Sequence, residues 1–124
     1  MVAAHLADPG RLKELLFPGN RVWLRPADSR QRKTAWSAVL CEAPERNGLV
    51  SLDSTLPNRL IGKALAASAM EEFAGWSLVR PEFKLGRSRW DFLLAAADGR
   101  RLALEVKSVT LAEDGVGLFP DAVS

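Results

Sequence analysis

"RSRWDFLLAAADGRRLALEVK", Arg87 to Lys107, is the stretch on which the reading of this chain turns. Two apolar runs flank Asp98-Gly99, the pattern of a β-hairpin. Strand side chains alternate between faces, so the loop length fixes which residues meet. A three-residue loop, Ala97-Asp98-Gly99, with Gly99 in the left-handed conformation, sets Trp90 opposite Val106, Phe92 opposite Leu104 and Leu94 opposite Leu102. That makes one wholly apolar face. On the other face Asp91 falls opposite Glu105, and Arg89 opposite Lys107. A two-residue Asp98-Gly99 loop would pair Asp91 with Val106 and mix the faces, so the longer loop is preferred.

The same parity argument extends upstream through "LVRPEFKLGRSRW", Leu78 to Trp90. A two-residue Gly86-Arg87 loop of type II′ suits glycine at its first position. It pairs Leu85 with Ser88, Phe83 with Trp90, Pro81 with Phe92 and Val79 with Leu94, and it brings Glu82 opposite Asp91. Pro81 then requires an edge strand or a bulge. Glu82, Asp91 and Glu105 thus lie side by side on one face, although like charges directly opposite destabilise a sheet. Two readings stay open at this level. The carboxylates bind a hard cation such as Mg²⁺, or they belong to a solvated face neutralised by Arg80, Lys84, Arg89 and Lys107.

Outward from this core, Ser54 or Thr55 can cap a helix that begins near Pro57. Leu60, Ile61, Ala64, Leu65 and Ser68 give it one buried face, and Gly62 weakens it slightly. Nearer the N-terminus a short helical piece spans Arg11 to Leu16, with a turn at Pro18-Gly19-Asn20. Strands follow at Arg21 to Arg25 and Thr34 to Glu42, separated by a polar, basic loop. The composition changes near Gly48, which places a domain boundary between residues 1–47, a small all-β module, and 48–124, an α/β (α+β) unit.

Composition narrows the class. With 124 residues, 48% hydrophobic and 26% charged, the chain can pack a core, so global disorder is excluded. The net charge of +2 permits a nucleic-acid partner without demanding one. One cysteine and one histidine make neither a disulfide framework nor a zinc site. No apolar run approaches the ~20 residues that span a bilayer, and no secretory signal is evident, so no membrane role and a cytoplasmic location are expected. The oligomeric state stays open, a homodimer among the options.

The densest basic run is Arg25, Arg30, Arg32 and Lys33, next to Trp23 and Trp36 on the adjoining strands. Basic loops beside stacking aromatics suit DNA or RNA, while core tryptophans beside a solvated loop explain the same residues without a ligand. Arg100 and Arg101, beside the second hairpin turn, either touch phosphate or keep the turn soluble.

Asp91, a hairpin and then Glu105-Val106-Lys107 resemble the PD-(D/E)xK nuclease core, with Trp90 where the motif's name has proline. "HLADPGRLKELL", "PGNRVWL", "RKTAWSAVL", "TLPNRLIGKAL", "SRWDFLL" and "LEVKSVTLAEDGVGLFPDAVS" resemble, in order, the sugar fermentation stimulation protein (SfsA) family across essentially the whole chain. The resemblance implies an N-terminal OB-like β-barrel, here partial, followed by a restriction-endonuclease-like domain with a mixed sheet. Family members extend before Val2 and beyond "FPDAVS", so the chain reads as truncated at both ends.

The implied activity is Mg²⁺- or Mn²⁺-dependent hydrolysis of phosphodiester bonds in DNA or RNA. Asp91 and Glu105 would be metal ligands and Lys107 the catalytic lysine, with Glu82 added from register as a third ligand. The rival is a DNA-binding transcriptional regulator of sugar metabolism genes that kept the fold and lost the reaction.

Overall fold

The computed structural model describes residues 1–7, 12–28, 33–43 and 48–118. They form two compact units. One holds Met1–Ser54 with the segment from Val109, and the other is Thr55–Ser108.

In the first unit, β3 (Trp36–Glu42) is the central strand. One edge pairs antiparallel with β2 (Val22–Pro26). The other edge is shared in succession by β1 (Ala4–His5), parallel, and β4 (Leu49–Ser51), antiparallel. The composition shift near Gly48 therefore precedes a strand that belongs to this sheet. A bulge at Val39 resets the face of β3, so that Ala38 and Cys41 both turn inward. Leu12, Leu15, Cys41 and Leu52 form the buried cluster, and burial raises the Cys41 thiol pKa. Among the described residues the 11–16 helix reduces to one turn, closed by Leu16 N–H donating to the Leu12 carbonyl at 2.7 Å. Phe17 to Asn20 is a tight turn with Gly19 at φ 94°, as Pro18-Gly19 suggests. The Asn20 side-chain amide ties that turn to the end of β3 by donating to the Leu15 and Glu42 carbonyls. β8 (Leu111–Glu113) and β9 (Val116–Leu118) make a separate hairpin about Asp114-Gly115, both with positive φ.

The second unit is a helix packed on a three-stranded meander. β5 (Trp76–Leu85), β6 (Ser88–Ala96) and β7 (Arg101–Leu104) run antiparallel with β6 central. Among the described residues the three strands of this sheet are antiparallel, and a parallel pair occurs in the first unit, between β1 and β3. β6 and β7 adopt the face-separating register, with Phe92 opposite Leu104 and Leu94 opposite Leu102. The loop is Ala97-Asp98-Gly99, with Gly99 at φ 89° and its N–H donating to the Ala96 carbonyl. The Gly86-Arg87 turn also forms, between Leu85 and Ser88.

Both ladders differ from expectation at one end. Leu78, not Val79, lies opposite Leu94, because Val79 is an extra bulged residue and half-exposed. The cause is parity. Trp76 and Leu78, even-numbered, pair with Ala96 and Leu94, and Pro81 and Phe83, odd-numbered, pair with Phe92 and Trp90, so all four fall on one side of the register only if one residue is skipped between them. The β6–β7 ladder also ends at Leu104, so the rungs Trp90–Val106, Asp91–Glu105 and Arg89–Lys107 do not form.

The helix α1 (Leu56–Ala66) has Thr55 at its N-cap, with no side-chain cap bond, and Pro57 in its first turn. Ile61 and Leu65 pack against Phe92 and Leu94, which are 4% and 0% exposed. Two residues assigned to the buried face are corrected. Leu60 is 58% exposed, and Ser68 lies past the helix at φ 53°. Ser68 N–H donates to Leu65 and Ala69 N–H to Ala64, a Schellman closure that requires a left-handed residue. Gly62 is part of the packing and not a weak point. A Cβ there would stand 3.2 Å from the Phe92 ring, so glycine lets the helix approach the sheet.

Candidate active site

Asp91 sits near the middle of β6, between Trp90 and Phe92, on the strand face opposite the apolar core. Both of its oxygens are engaged. The Asn58 side-chain amide, from the first turns of α1, donates to Oδ1 at 2.8 Å, and Val106 N–H donates to Oδ2 at 2.7 Å. The carboxylate thus replaces a backbone acceptor where the β6–β7 ladder stops. It fastens both the helix and the segment after β7 to the central strand. Val106 still packs on the apolar core, so the segment keeps its orientation and Glu105 and Lys107 stay exposed.

Lys107 Nζ donates to Glu105 Oε1. That hydrogen bond is the main reason the Lys107 pKa lies above the ordinary lysine value. The Glu105 charge adds to it, slight desolvation opposes it, and the Asp91 charge contributes further. Asp91, Glu105 and Lys107 therefore share one electrostatic neighbourhood. Each carboxylate oxygen has more than one acceptor direction, so the bonds to Asn58, Val106 and Lys107 leave coordination capacity on Asp91 and Glu105.

Glu82 is less integrated. It has φ 47°, and the β5–β6 ladder skips the Glu82–Asp91 rung, resuming at Phe83–Trp90. Its carbonyl accepts from the Arg80 guanidinium at 3.1 Å. Among the described residues, no three His, Cys, Asp or Glu side chains converge as a metal-binding group. Asn58 is the residue that sequence reasoning missed. Its signal was a polar side chain on the otherwise apolar sheet-facing stripe of α1, at Asn58, Ile61, Gly62 and Leu65.

The basic candidates lie in the first unit. Trp23 and Arg25 alternate with Leu24 on β2 and so share a face, where Trp23 is 40% exposed. Trp36 pairs with Pro26 and falls on the opposite face, half-buried. Lys33 is exposed, while Arg30 and Arg32 lie outside the described residues. Arg100 is occupied by a 2.7 Å ion pair with Asp98 and by stacking over the Trp76 ring, 5.3 Å from its centroid.

A small β-module with an exposed Trp–Arg face, followed by a helix-backed hairpin meander with Asp, Glu and Lys at its rim, makes a sheet-dominated α+β protein, an OB-type module followed by a second domain. The chain belongs to the sugar fermentation stimulation protein (SfsA) family. The model of the SfsA N-terminal OB domain matches residues 1–52, and that of the sugar fermentation stimulation protein RE domain matches residues 55–124. The chain is similar to a sugar fermentation stimulation protein homolog of Shouchella clausii, 55% identical over 99% of this chain and 52% of that one. A homolog of Methanothermobacter thermautotrophicus is 44% identical over 96% of this chain and 48% of its own. A solved structure of Pyrococcus furiosus SfsA in complex with Ca²⁺ superposes with a TM-score of 0.78 at 26% identity, covering 98% of this chain and 50% of that one. The chain spans about half the length of the relatives it matches. Among the described residues, no helix is long and apolar enough to cross a membrane.

Proposed function

We propose that the protein carries the catalytic groups of a metal-dependent nuclease that hydrolyses phosphodiester bonds in DNA or RNA. The observation that carries this reading is the Asp91–Glu105–Lys107 neighbourhood, with Asp91 clamped by Asn58 and by Val106 N–H. A surface held together only by charge neutrality does not need a carboxylate fixed at both oxygens.

Asp91 and Glu105 fit a hard divalent cation, since Mg²⁺ is commonly held by one or two carboxylates plus water and phosphate oxygens. The Ca²⁺ complex of the Pyrococcus furiosus relative supports an oxygen-ligand cation in this family. When bound, Mg²⁺ or Mn²⁺ would supply charge neutralisation at the phosphate and a water of lowered pKa. Asn58 and Val106 hold Asp91 in one orientation for that task. Lys107 would leave Glu105 as the carboxylate turned to the cation, and would present its ammonium to the attacking water or to the developing phosphate charge.

The non-catalytic DNA-binding regulator remains the second reading. It is favoured by the ion pair that engages Glu105 and by the lack of a third converging acid among the described residues.

Cleavage of labelled single- and double-stranded DNA and RNA separates the two, assayed with Mg²⁺, Mn²⁺ or chelator. Asp91→Asn, Glu105→Gln and Lys107→Ala should each lower metal-dependent cleavage by at least about 100-fold. Lys107→Ala should leave metal binding largely intact, because an ammonium is not a ligand. Binding without cleavage in either metal would favour the regulator.

A further inference from the structure

The sheet of the second unit has one face packed on the apolar side of α1 and an opposite, free face, which meets α1 at the Asn58–Asp91 hydrogen bond. Register assigns the free face its residues. Arg89, Asp91, Leu93 and Ala95 share it on β6, and their partners Lys84, Arg80 and Arg101 share it on β5 and β7. The bulge at Val79 is what turns Arg80 to this side while Leu78 stays in the core. Lys84 and Arg89 are directly opposite each other, an arrangement that destabilises a strand pair unless something anionic relieves it. Among the described residues neither has an ion-pair partner, and both are exposed. The Arg80 guanidinium donates to a backbone carbonyl, that of Glu82, and so keeps its charge unneutralised by that bond. Arg80, Lys84 and Arg89 line a depression of about 440 Å³ together with Phe83 and one acid, Glu82.

Net charge points the same way. Residues 55–108 hold nine Lys/Arg against six Asp/Glu, whereas the remainder of the chain holds eight against nine. The excess positive charge lies in the unit that carries Asp91, not in the module with the Arg25–Lys33 run.

We propose that the free face of the β5–β6 hairpin, through Arg80, Lys84 and Arg89, is the track that grips the nucleic-acid backbone for the Asp91 site. The inference rests on the nucleic-acid reading above. Arg89 is two residues from Asp91 along β6, about 7 Å. A phosphate held at the Lys84–Arg89 rung therefore leaves a neighbouring phosphate within reach of Asp91. Contacts of this kind neutralise phosphates and carry no base information, so binding is salt-dependent and tolerant of sequence.

The test is fluorescence anisotropy of the purified protein with labelled 20-nucleotide single-stranded and duplex DNA and RNA, in chelator, over a KCl series. Lys84→Ala/Arg89→Ala should weaken binding by about tenfold or more at 0.1 M salt. It should also flatten the log–log salt slope by about 1.5, the loss of two phosphate contacts. Lys84→Arg/Arg89→Lys should keep the wild-type slope, and the single changes Lys84→Gln and Arg89→Gln should each give about half the effect. Because both side chains are exposed, thermal midpoints should match the wild type. An unchanged slope in the alanine variant, or flattening confined to Arg25→Ala/Lys33→Ala, overturns the inference and leaves the nucleic-acid reading standing. Failure of the wild-type protein to bind any of the four probes at low salt overturns both.

Discussion

Single side chains do two kinds of work in the second unit. Asp91 is held by two donors from different elements, so removing either donor should be felt. Asn58→Ala takes away a charge-assisted bond to a half-buried carboxylate and should lower unfolding free energy by about 1–2 kcal/mol in urea. An unaltered midpoint would mean that Asn58 contributes no net stability. Ser68 works against the fold. It occupies the left-handed position of the Schellman closure, where a Cβ is unfavourable. Ser68→Gly should therefore stabilise the protein by about 0.5–1 kcal/mol, read as a raised thermal midpoint. The sequence marks Asp91, Glu105 and Lys107 through the hairpin and the motif that follows it. The helical period puts Asn58 on the sheet-facing stripe, but its partner Asp91 lies 33 residues away, which no periodicity displays.

At the scale of elements, parity explains both the success and the failure of sequence reasoning. The β6–β7 register was legible because Ala97-Asp98-Gly99 admits one pairing that separates apolar from charged residues. The β5–β6 register was legible near its turn, at Phe83–Trp90 and Pro81–Phe92, and was lost beyond Val79. The clue was present, since Trp76 and Leu78 have the opposite parity to Pro81 and Phe83, but only the observed pairing shows that one residue between them is skipped. The Asp114-Gly115 hairpin carried a strong turn signal and needed no tertiary information. The contact between α1 and β6 could not be read from helix propensity, which counts Gly62 as a defect. Gly62→Ala makes the helix intrinsically better by about 1 kcal/mol, yet it drives a methyl against the buried Phe92 ring. The net effect should be destabilising, measured as a lower urea midpoint. A stabilised Gly62→Ala protein would show that Phe92 can yield.

For the whole molecule, the two matched domain models, residues 1–52 and 55–124, follow the two units except for the segment from Val109, which the contacts group with the first. The first presents Trp23 and Arg25 on one exposed sheet face, and the second carries the acids, Lys107 and the excess positive charge. Fold class and family were legible from motif order, because those motifs sit on the turns, the helix and the central strand that define the units. The exact gathering of side chains was not, because β7 ends at Leu104 and side-chain bonds replace the last rungs. The central claim is that Asp91 and Glu105 hold a divalent cation. The most direct measurement is an anomalous difference map from crystals of the protein grown with Mn²⁺. The account predicts a peak about 2.0–2.3 Å from oxygens of both Asp91 and Glu105, lost in Asp91→Asn crystals. A fully occupied Mn²⁺ bound elsewhere, or none at these carboxylates at millimolar Mn²⁺, would contradict it.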